Sequence, residues 1–152
     1  MSSDSVRVLV VTNVQTDFFG EGPMAVPDGG RVVGIINSLR HRFHFDHVFI
    51  CQSWFPVNHR CFSSNQPGSE AFSVHHLPEV GSQMVYPDHC VQGTPGSNVH
   101  AGLHVETSDT IIRMGTDPRC AWYVEERRAH YTLAPCALWW ACCGACGACG
   151  TC

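Results

Sequence analysis

Residues 8–11 are an unbroken run of Val and Leu inside the segment RVLVVTN (7–13). An apolar run this short, without alternation, predicts a strand buried on both faces, as in a parallel sheet. A Gly/Pro-rich loop, GEGPMAVPDGG, follows it. Residues 31–43 then place Val32, Ile35, Ile36 and Leu39 at helical spacing, which predicts an amphipathic helix. HVFICQ (47–52) is a second β-rich run, and DTIIRM (109–114) predicts a third strand. Strand, helix, strand is a βαβ unit with an expected right-handed crossover, so the fold class is α/β with a parallel sheet. Residues 53–108 read as one long irregular stretch, carrying His59, His75, His76, His89, His100 and His104 among several aromatics. A connection of that length in a compact domain points to function. Ligands of open α/β sheets bind beyond the carboxyl ends of the strands, here Asn13, the corner at 52–55 and Met114.

Composition narrows this picture. The chain has 152 residues, enough for one domain, and 44% of them are hydrophobic, enough for a core. A formal net charge of −4 and the lack of any basic run exclude nucleic acid as an expected partner. No stretch of eighteen apolar residues predicts a membrane span, and the first residues lack a signal-peptide pattern. The expected setting is the reducing cytoplasm, where disulfides are rare. Ten cysteines are many, but seven of them lie in residues 120–152. Composition therefore shifts near residue 119, and two parts are expected: a domain over 1–118 and a divergent terminus over 119–152. The closing ACCGACGACGTC contains a C-x-x-C repeat suited to metal, yet it uses only the four letters of a nucleotide string. We read those twelve residues as an appended or mistranslated coding string that would be disordered if made.

Four motifs carry a resemblance. VVTNVQTDFFGEGPMAVPDGG, SWFPVNHRCFSSNQPG, YPDHCVQGTPGSNVHAGL and IIRMGTDP stand in the order found in the nicotinamidases of the isochorismatase-like hydrolase superfamily. The chain resembles that family from about Arg7 to Pro118, and the resemblance stops after TDPR. It implies a doubly wound parallel sheet with helices on its faces, here truncated to about three strands. It also implies hydrolysis of nicotinamide to nicotinate and ammonia. In the family an aspartate activates a cysteine thiol, a lysine supports the charged state, and the thiolate attacks the carboxamide. A divalent metal, often zinc, is held by an aspartate and histidines and orients the pyridine ring.

The resemblance also implies where those groups fall. The basic aspartate of the pattern D-V-Q-x-D-F falls on Asn13, and the lysine falls on Met114. The metal carboxylate and one imidazole of D-W-H-P fall on Ser53 and Phe55, leaving His59 and His89 as metal positions. Phe18 and Tyr86 fall where the family surrounds the ring with aromatics. No segment matches the turn that bears the nucleophilic cysteine. An inactive nicotinamidase-like scaffold is therefore expected, with a non-catalytic pyridine-ring or metal-binding protein as the alternative and a homo-oligomer as a possible assembly. Asp17 and Asp88 read as ordinary loop carboxylates, His75 and His76 as exposed, and Cys51 and Cys90 as packing residues.

Overall fold

The computed structural model describes residues 5–77 and 81–119. The C-terminal expectations for residues 120–152 lie outside the described residues. Three strands form one parallel sheet in the order β1 (Val8–Thr12), β2 (His47–Ser53) and β5 (Thr110–Met114). β2 is central and is buried from Ile50 onward, which accounts for its continuous apolar pattern. The registers run from Val8 opposite His47 to Thr12 opposite Cys51, and from Phe49 opposite Thr110 to Ser53 opposite Met114. The expected α/β class with a parallel sheet is the observed one. Among the described residues no helix is long and apolar enough to cross a membrane.

Helix α1 (Arg31–Arg42) connects β1 to β2, and its core face differs from the predicted one. Val33 and Ile36 are buried, whereas Val32 and Ile35 are exposed. The inward stripe is Val33, Ile36, Asn37 and Arg40, spaced i, i+3, i+4, i+7. Its two polar members bond to distant chain. Asn37 Nδ2 donates to the Gly102 carbonyl at 2.8 Å, and its Oδ1 accepts the His104 N–H at 2.9 Å. Arg40 grips Asp109 through both terminal nitrogens, at 2.9 and 3.1 Å. The Asp109 carboxylate just before β5 is thereby pinned to the end of α1. Val11, Val14, Val33, Ile36 and Leu103 form the core beneath this helix.

The connection between β2 and β5 is more ordered than its sequence suggests. It contains a two-stranded antiparallel hairpin, β3 (Val74–Leu77) with β4 (Gly81–Met84). Val74 and Met84 are exposed, so the hairpin lacks the apolar alternation that would have announced it. His76 is exposed as expected, but His75 is half-buried. A short 3-10 turn, Pro95–Ser97, folds back along the end of β1. There Thr16 N–H donates to the Asn98 carbonyl at 3.0 Å and His100 N–H to the Val14 carbonyl at 2.9 Å.

Gln15 fastens these segments together. It is fully buried, and its Nε2 donates to the carbonyls of Ser53 and Ser97, both at 2.8 Å. Its Oε1 accepts the Ser53 N–H at 2.8 Å. One amide thus closes the ends of β1 and β2 onto the Pro95–Ser97 turn. A second core lies beyond the strand ends: Phe55, Cys61, Phe62 and Cys90, with Phe18, Tyr86 and Val91 against it. His59 and His89 are enclosed beside it at 0% and 1% exposure. Burial lowers both imidazoles, His59 to about 4, with His89 and Arg60 adding to that shift.

Two consequences are measurable. Gln15→Ala takes the Gln15 bonds from the buried N–H and C=O of Ser53 and leaves the Ser97 carbonyl only its longer bond from Gln52 Nε2, so denaturant unfolding should show a loss of about 2–4 kcal/mol. An unchanged midpoint would contradict the clamp. The second concerns pH. An unfolded histidine takes its proton near 6.5, but folded His59 takes it only near 4. Between those values the unfolded chain binds more protons. Stability is therefore complete above about pH 6.5 and is lost as pH falls toward 4, on the order of 3 kcal/mol for His59. Urea titrations in chelator across that window should show the slope, and His59→Gln should flatten it.

Candidate active site

β1 ends in a reversal at Asn13, whose φ of 56° lies in the left-handed region. Asparagine and aspartate are the non-glycine residues that tolerate it best, since their short polar side chains bond locally. Asn13 N–H donates to the Cys51 carbonyl at 2.9 Å, which sets the reversal against β2. Its Oδ1 accepts a hydrogen bond from Ser53 Oγ at 3.2 Å. Ser53 is fully buried at the end of the central strand, opposite Met114 in register. The three strand ends therefore present an amide, a hydroxyl and a thioether side by side. Arg113 is adjacent in sequence to Met114, but the pleat turns it to the other face. There its guanidinium lies 4.0 Å from the Trp54 ring centroid.

Past β2 the chain turns Phe55 into the second core. Gly115, at φ 74°, has no room for a Cβ because the Phe55 ring occupies that space. On its other sides Phe55 meets both buried histidines, with ring centroids 4.8 Å from His59 and 5.2 Å from His89. Phe62 closes the cluster at 5.9 and 5.6 Å from the same two rings. Phe18 and Tyr86 stand 5.9 and 6.1 Å from His89. The residues singled out for metal and ring binding are thus gathered at one place beyond the sheet.

The histidines are held in opposite senses. His89 Nδ1 lies 2.8 Å from the Pro87 carbonyl, which can only accept, so neutral His89 carries its proton on Nδ1. Its Nε2 lone pair is buried without a partner. His59 Nδ1 accepts the Cys61 N–H at 3.2 Å and lies 2.8 Å from Cys61 Sγ. Neutral His59 therefore carries its proton on Nε2. That atom makes no hydrogen bond of full geometry, although the Asp117 backbone favours the charged ring.

The thiols of the described residues are all buried. Burial pushes Cys61 and Cys90 up to about 12, and Cys51 is 3% exposed at the heart of the sheet. Asp17 corrects the sequence reading. It is no simple loop carboxylate, because its Oδ2 accepts the Cys90 N–H at 2.7 Å across 73 positions of sequence. Gly96 backs against the same carboxylate, where any Cβ would overlap it. Cys90 sits at φ 48°, so Asp17 holds a left-handed turn directly after His89. Asp88 accepts Ser64 Oγ–H at 2.6 Å, an exposed contact that ties two loops 24 positions apart. Gln15 and Cys61, which fix Ser53 and His59, were not singled out by the sequence; only the partner distances identify them.

The donor set does not fit a divalent metal. Among the described residues no group of three His, Cys, Asp or Glu side chains could hold one. Of the four positions that the resemblance assigns, Ser53 bonds to Asn13 and Phe55 has no donor atom. Protein zinc sites use three or four ligands.

Known proteins show the same architecture. No family model matches the chain. A nicotinamidase of Acinetobacter baylyi is 39% identical over 107 residues, covering 70% of this chain and 49% of that protein. A solved nicotinamidase/pyrazinamidase of Acinetobacter baumanii superposes with a TM-score of 0.67 at 38% identity, covering 73% of this chain and 52% of the other. A pyrazinamidase of Pyrococcus horikoshii in complex with zinc gives a TM-score of 0.55 at 25% identity, covering 76% and 55%. The chain spans about half the length of the relatives it matches. With its motifs in order on a shared fold, the chain belongs to the nicotinamidase family of isochorismatase-like hydrolases.

Proposed function

We propose that this chain carries the nicotinamide-handling half of an amide hydrolase and does not itself cleave the amide. The observation that supports this reading is the Asn13–Ser53 pair, at 3.2 Å, beside Met114. A neutral amide whose oxygen already accepts a hydroxyl proton cannot take one from a thiol. A thioether beside it cannot stabilise a thiolate or an oxyanion. The three cysteines of the described residues are buried thiols, two of them far above neutral pH. At the strand-end positions 13, 53 and 114 a general base and a cation are thus lacking, and no ionised sulfur stands beside them among the described residues; each is needed to attack a carboxamide.

The apolar wall formed by Phe18, Tyr86 and Phe62 around His89 suits a flat heteroaromatic ring. Nicotinamide is the small molecule this reading assigns, within pyridine-nucleotide salvage in the cytoplasm. The buried thiols of the described residues agree with a reducing setting.

Ammonia release from nicotinamide by the purified full chain tests the reading. We expect kcat/KM at least about 10⁴-fold below that of an intact nicotinamidase assayed in parallel. Turnover that exceeds the blank and disappears with Asn13→Ala would overturn it. Because no thiol of the described residues is placed to attack, Asn13→Asp/Met114→Lys should also stay inactive. Activity in that double variant would reveal a nucleophile elsewhere in the chain.

A further inference from the structure

We infer that the ring-lined site beyond the sheet is closed to divalent cations, because Phe55 fills a ligand's place and only His89 offers a free lone pair. This rests on the family assignment and is independent of whether the amide is cleaved.

The geometry at Phe55 is that of a ligand's position. Two imidazoles on one tetrahedral zinc, each bonded at about 2 Å, place their ring centroids roughly 5 Å apart. Phe55 stands 5.2 Å from His89 and 4.8 Å from His59. Its ring therefore occupies the space of an imidazole without supplying a nitrogen. It is held there tightly: its exposure is 0%, and Gly115 has given up its Cβ to make room.

The remaining donors fail for separate reasons. The Ser53 hydroxyl, a weak ligand when neutral, is turned to Asn13 Oδ1 at 3.2 Å. The His59 Nδ1 lone pair is committed to the Cys61 amide at 3.2 Å, leaving a protonated Nε2. His89 alone has the tautomer of a metal ligand, its Nδ1–H on the Pro87 carbonyl and its Nε2 unpartnered. One nitrogen does not hold a divalent cation against water. The reversal should need only Ser53→Asp and Phe55→His, which with His89 give three ligands on a backbone already shaped for them.

The test is zinc titration of the full chain, following the imidazole resonances of His59 and His89 by NMR. In the wild type both should stay unshifted at one equivalent, whatever the cysteines of residues 142–152 bind. Ser53→Asp/Phe55→His should move the His89 resonance and take up one more equivalent of zinc per chain than the wild type. His89→Ala in that background should abolish the extra equivalent. A wild-type His89 signal that shifts at one equivalent overturns the inference, and so does a folded double variant that gains no zinc. Should burial of the new carboxylate prevent folding, Phe55→His alone serves, with a gain in zinc affinity of about 100-fold expected at His89. The wild-type titration decides the closure by itself and reports nothing on catalysis, so it can fail or succeed separately from the ammonia assay.

Discussion

The buried amide of Gln15 sets the geometry on which the site depends. The sheet ladder already joins β1 to β2, but a ladder fixes only the strands. Gln15 carries the order one step further, to the first residues after each strand. It bonds the N–H and C=O of Ser53 and the carbonyl of Ser97 with one side chain. All of these atoms are buried, so an unmade bond would leave a desolvated polar group with no water to replace its partner. Alternate residues of the same segment extend the arrangement. Asn13 turns the chain and meets Ser53, and Asp17 secures the amide after His89. Three side chains from five consecutive residues therefore locate the ends of β1 and β2, the Pro95–Ser97 turn and the His89 loop.

The parallel sheet was legible because its strands are written as local apolar runs with tight bounds. What the sequence hid were features defined by partners far along the chain. Asn37 and Arg40 look like the solvent side of a helix, yet they face inward because Gly102, His104 and Asp109 wait there. The predicted stripe through Val32 and Ile35 was consequently rotated away from the true one. Asp17 looked like a turn former for the same reason, its partner being 73 residues distant. The hairpin β3–β4 escaped because its side chains are mostly polar or exposed. The site was legible only through motif order. No local rule connects Asn13, Ser53 and Met114, which the strand ends bring together, or Phe55, which packs on Gly115 beyond them.

The second core shows how a polar cluster becomes structural. His59 and His89 are enclosed by Phe55, Phe62, Phe18 and Tyr86, and burial keeps both neutral. A neutral imidazole packs as a flat ring with one donor and one acceptor, and here each ring has a good partner on Nδ1. Cys61 serves His59, and the Pro87 carbonyl serves His89. The cost is two Nε2 atoms without full hydrogen bonds, and the aromatic contacts offset it.

The four substituted positions make sense together rather than singly. In the pattern that the chain resembles, two carboxylates, an imidazole and an ammonium stand at positions 13, 53, 55 and 114. Removing the lysine alone would leave a half-buried carboxylate at 13 beside a thioether, without the cation that offsets its lost hydration. Removing the metal alone would leave a carboxylate at 53 in the driest part of the sheet. Here both negative positions and the positive one are neutral. Each replacement also suits its local backbone: Asn in the left-handed turn, Ser bonded to it, Phe against Gly115, Met within a strand. No unpaired charge stands at these four positions, and each side chain is accommodated by the backbone that carries it.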